Sequence, residues 1–153
     1  MSFQELIEFC RSRYSHGVTV VTKLSELQHL FYADCGKRIK RIDSILKCGE
    51  HGITANDCDV LYQEFDSLYG GAKAACFPEL ENFFFALAGY ARFLKRCLPN
   101  LVSERDMRLI REGVDLVTAG ESGQCSGIEE NRERLLVFVK QLSEWMQRPS
   151  KGV

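Results

Sequence analysis

Three observations predict an all-α chain: apolar residues that recur three or four positions apart, only three prolines in 153 residues, and short connections between the periodic stretches. The reading is a single-domain helical bundle of about six helices, with a long second helix and a central, apolar fourth helix. The length falls in the usual range for one domain and is enough to bury about two-thirds of the unfolded surface. No disulfide or structural metal is needed to hold such a fold. The domain is assigned to residues 1–147, with 148–153 as a frayed C-terminal tail.

The first predicted helix opens on Ser2 and Glu5, a capping-box pair in which each side chain reaches the other's backbone N–H. Phe3, Leu6, Ile7 and Cys10 follow at helical spacing, and the pattern fades around Tyr14–Gly17. The second helix carries one continuous stripe: Val20, Leu24, Leu27, Phe31, Cys35, Ile39, Ile42 and Leu46. Gly36 interrupts it, and Gly49 is a natural stop. The third starts near Thr54 with Asp57 three residues on, and its apolar side is Val60, Leu61, Phe65 and Leu68. Gly70-Gly71 is expected to break or loosen it, with a short continuation through Ala75.

Pro78 suits the first turn of the fourth helix, where a missing N–H costs nothing, and Glu79 and Glu81 favour its dipole. Leu80, Phe83, Phe84, Leu87, Tyr90, Ala91, Phe93, Leu94 and Leu98 make it apolar over more than half its circumference, the mark of a central element. Pro99-Asn100 ends it. Ser103 and Asp106 begin the fifth helix, whose face is Met107, Ile110, Val114 and Val117. Residues 119–127 form a Gly/Ser-rich loop. Ser126 and Glu129 pair as a cap for the sixth helix, with Ile128, Leu135, Val139, Leu142 and Trp145 or Met146 on its apolar side.

Composition excludes some classes. The hydrophobic fraction of 45% and a net charge of −1 rule against disorder, and the chain lacks the overall basicity of a dedicated nucleic-acid binder. The seven cysteines are an odd number and sit mostly within helical stretches. They read as buried, reduced thiols that pack as small hydrophobes. The opening MSFQELIEFCRSRY places Glu5 and Glu8 where a secretory leader needs an apolar run. No stretch approaches the roughly 18 uncharged apolar residues of a membrane span. The expectation is a cytoplasmic or otherwise intracellular protein.

Few residues announce chemistry. Cys48, His51 and Cys58 are of zinc-ligand type, but a closed site needs a fourth ligand and no second tight pair is nearby. No metal, cofactor or small-molecule substrate is inferred, and the phosphate-loop, nucleophile-elbow and metalloprotease signatures are missing from the sequence. The basic face of the second helix, Lys37, Arg38, Lys40, Arg41 and Lys47, is a candidate contact for phosphates of nucleic acid or an anionic membrane. Residues 51–85 are strongly acidic, so the basic face is expected either beside the third helix or paired head-to-tail with another copy of the chain. Phe83, Phe84 and Phe85 cannot share one helix face, since three successive residues span about 200°. Either that helix is buried all round or one ring lies at a surface. These three, with Trp145, are the candidate partner-binding residues.

The sequence therefore predicts a non-enzymatic helical interaction module, an adaptor, regulator or assembly subunit. It binds another protein's helix or a second copy of itself as a homodimer. The alternative is polyanion binding through the second helix.

Overall fold

A computed structural model of the chain describes residues 2, 4–5, 20–48, 52–98, 102–118 and 132–147. Five α-helices, and no strand, occur among them: α1 (Val20–Cys48), α2 (Ala55–Ala74), α3 (Pro78–Cys97), α4 (Glu104–Val117) and α5 (Arg132–Met146). They are the second to sixth predicted helices. Of the first, the opening is seen: the Ser2 N–H donates to Glu5 Oε2 at 2.7 Å and the Glu5 N–H to Ser2 Oγ at 3.1 Å. The rest of that helix, His51, the loop 119–127, the Ser126–Glu129 cap and the tail 148–153 lie outside the described residues.

The α1 stripe is buried as its spacing demands: Leu27, Phe31, Cys35, Ile39, Ile42 and Leu46 all face the core. Gly36 leaves the helix unbroken. α2 begins with a complete capping box, the Asp57 N–H donating to Thr54 Oγ1 at 3.1 Å and the Thr54 N–H to Asp57 Oδ2 at 3.0 Å. Gly70-Gly71 does not break it, and the helix runs to Ala74. Each glycine costs about 1 kcal/mol in a helix. Burial of Leu68, Ala72 and Ala75 on the same face outweighs that cost.

α2 stops in a tight turn. Cys76 takes the left-handed conformation, φ +59°. The Phe77 N–H then donates to the Ala72 carbonyl at 2.9 Å and the Cys76 N–H to that of Lys73 at 3.2 Å. This is the Schellman closure, built on cysteine where glycine is usual. α3 starts at once with Pro78 and returns antiparallel to α2. The two helices are zipped on their outer side by three unlike contacts. Lys95 Nζ lies 2.8 Å from an Asp59 oxygen, Arg92 stacks 4.0 Å over the Tyr62 ring, and the Tyr69 and Phe85 rings are 5.4 Å apart. The partners in each pair are equidistant from Phe77 along the chain, so one register accounts for all three.

α3 is central, with Leu80, Phe83, Phe84, Leu87, Tyr90, Ala91 and Leu94 almost wholly buried. Its consecutive phenylalanines point three ways. Phe84 meets Phe31 of α1, Phe83 meets Phe138 of α5, and Phe85 turns outward beside Tyr69. α1 lies against α2, and the Gln28 side chain donates to the Ala75 carbonyl at 3.1 Å. α4 buries Leu109, Ile110, Val114 and Val117. α5 crosses it closely, because Gly113 has no side chain: an added Cβ would sit 2.7 Å from the Phe138 ring. One apolar core joins all five helices.

Candidate interaction surface

The basic face of α1 is divided by the fold. Arg38 is half-buried and pairs with Asp34 at 2.8 Å and Glu64 at 3.0 Å, and Arg41 reaches the other Glu64 oxygen at 3.3 Å. Burial opposes the charge on Arg38, but Asp34 and Glu64 outweigh it and hold its pKa above the ordinary arginine range. Both arginines thus tie α1 to the acidic α2, the proximity that the charge segregation predicts. Lys37, Lys40 and Lys47 remain exposed, with no ion pair among the described residues. Lys47 also lies in the last turn of α1, where a cation is favoured.

Cys58, Cys76 and Cys97 are free thiols. Cys35 is fully buried on α1. Burial pushes the Cys58 thiol up to about 11, with Asp57 and Asp59 adding to the shift. That favours the protonated thiol, the opposite of an activated nucleophile. No cluster of His, Cys, Asp and Glu able to hold a metal occurs among the described residues. No described helix is long and apolar enough to cross a membrane.

Of the candidate partner-binding aromatics, Phe83 and Phe84 are core residues, closed to any partner. Trp145 is half-buried and already engaged: its indole N–H donates to Asp106 at 2.8 Å, and the Arg105 guanidinium stacks over its ring at 4.1 Å. Asp106 itself is fully buried. It also accepts from the Tyr90 hydroxyl, from the Ser103 N–H at 2.8 Å and from the Ser103 hydroxyl at 3.2 Å. The cap of α4 is therefore also the tie that joins α3, α4 and α5.

Phe85 is left facing solvent, 64% exposed, and α5 adds Leu136 at 56% and Val137 at 66%. The reason lies in the α5 sequence. Leu135, Phe138 and Leu142 already fill its core side, so Leu136 and Val137 fall on the outer side. A signal was present in the sequence. Residues 135–139 are five apolar side chains in succession, more than one buried face can hold, as with Phe83–Phe85.

A depression lies along each flank of α5. The one towards α3, about 360 Å³, is lined by Phe85, Ala86, Gly89, Leu136, Val139 and Met146, with Glu79, Asn82 and Ser143 among its polar edges. At its end Arg132 bridges to Glu79 at 3.0 Å. The one towards α4, about 480 Å³, is more polar, with Glu112, Asp115 and Arg134 beside Leu116, Val137 and Phe138. The arrangement holds an apolar ridge between two grooves, which suits side chains projecting from a partner helix.

No family model, no curated protein and no solved structure matches this chain.

Proposed function

We propose that the protein is a non-enzymatic interaction module, and that the outer side of α3 and α5 receives a helix of a partner protein. The observation that carries this is the exposure of Phe85 and Leu136 along an apolar groove, with Val137 exposed on the ridge beside it. Large apolar side chains left in water next to a concave apolar surface mark interaction sites more often than bare surface. A helix with apolar residues at positions i, i+3, i+4 and i+7 matches that shape.

The test is a selection from a library of helical peptides against the full chain, with Phe85→Asp and Leu136→Asp as separate counter-screens. Binders are expected to carry the apolar stripe and to lose about tenfold or more in affinity on either variant, the loss of a buried anchor being about 1.4 kcal/mol or larger. An empty selection, or binders indifferent to both substitutions, rejects the proposal.

Polyanion binding is the second reading, favoured by the three exposed lysines Lys37, Lys40 and Lys47. It requires binding to heparin or RNA that weakens steeply with salt and vanishes in the triple Lys→Ala variant.

A further inference from the structure

The outer face of α5 has an internal symmetry in its chemistry. Glu133, Leu136, Val137 and Lys140 are all exposed and share that face. At about 100° and 1.5 Å per residue, Leu136 and Val137 lie to either side of its outward line, while Glu133 and Lys140 lie close to that line, one turn before and one turn after. A two-fold axis between Leu136 and Val137 would lay the helix antiparallel on a copy of itself. Leu136 then meets the partner's Val137, and Glu133 meets the partner's Lys140, each contact occurring twice.

We propose that the partner helix is α5 of a second copy, joined in this antiparallel, two-fold arrangement. The inference rests on reading the α5 side as an interaction surface and names its occupant. Charge complementarity carries it. Glu133 and Lys140 form no ion pair among the described residues. They cannot serve each other within one chain, since seven residues separate them by about 10 Å along the helix. Across the axis, each finds an opposite charge, and the exposed apolar pair between them is covered. Any other antiparallel register takes Glu133 away from the partner's Lys140 and moves Leu136 and Val137 off the axis, which is how charges and the apolar pair together fix orientation more than charges add affinity. The grooves flanking α5 leave room beside the ridge for the partner's side chains.

Sedimentation velocity of the full chain over a concentration series tests this, on the wild type, Glu133→Lys, Lys140→Glu, the double charge swap, and an equimolar mixture of the two single variants. All the altered positions are exposed, and circular dichroism checks that each variant is folded. The expected result is a wild-type dimer, with each single reversal raising the dimer Kd about tenfold by setting like charges opposite at two places. The double swap restores association, and so does the mixture, in which only the heterodimer matches every charge. A wild type that is monomeric throughout overturns the proposal, as does a dimer indifferent to single reversals or one that neither the swap nor the mixture restores. If the peptide selection still returns stripe-bearing binders, only self-association is lost. If it is empty as well, the interaction surface falls with it.

Discussion

Cys76 shows how one residue closes the α2–α3 hairpin. The turn needs a residue at positive φ, and cysteine supplies it at φ +59°. For a residue with a Cβ that conformation costs about 1–2 kcal/mol, part of which glycine would return through its greater freedom in the unfolded chain. The side chain is exposed, so nothing in the core depends on it. Cys76→Gly is therefore expected to stabilise the protein by about 0.5–1 kcal/mol. Urea denaturation measures it, and a loss of stability would mean that the thiol makes a contribution the turn geometry does not require. At the same scale, Phe85 differs from Phe83 and Phe84 only in direction. Composition makes the three equal, and the packing of α1 and α5 against α3 decides which ring is left outside.

Between elements, the firmest polar tie is Asp106. It is the first-turn acid of α4, and its carboxylate also holds Tyr90 of α3 and Trp145 of α5. Asp106→Ala would leave buried donors unmet on two neighbouring helices. A destabilisation of roughly 3 kcal/mol or more is expected, at about 1–3 kcal/mol for each stranded group. Trp145 is the sole tryptophan, so its fluorescence reports directly whether α5 still docks. Unchanged emission and stability would show that the tie does not hold α5. The Ser103–Asp106 cap was legible in the sequence, because capping depends on residues three apart. Its second role was not, because the bond to Trp145 spans 39 positions.

For the whole molecule, one core shared by all five helices predicts one cooperative unfolding event. Far-UV circular dichroism, which follows every helix, and Trp145 fluorescence, which follows the α4–α5 corner, should give coincident denaturation curves. Separate midpoints would mean that α5 detaches before the α2–α3 hairpin melts. That independence would weaken the case for α5 as a rigid surface for a partner.

Helix class, the starts of α2, α3 and α4 and most of the buried stripe could be read directly, since they follow from apolar spacing and caps within one or two turns. The approach of basic α1 to acidic α2 was also legible, as charge segregated along the chain. Contacts between distant residues settled the rest. Packing on the Leu68 and Ala72 side carries α2 through Gly70-Gly71. Glu64 pairs with both Arg38 and Arg41, so the lysines are the part of the basic ridge without an ion pair among the described residues. Asp106 draws Trp145 inward. A local pattern states which side chains are apolar or charged. Which of them water still reaches depends on what the remainder of the chain brings against them, and here that leaves Phe85, Leu136 and Val137 outside.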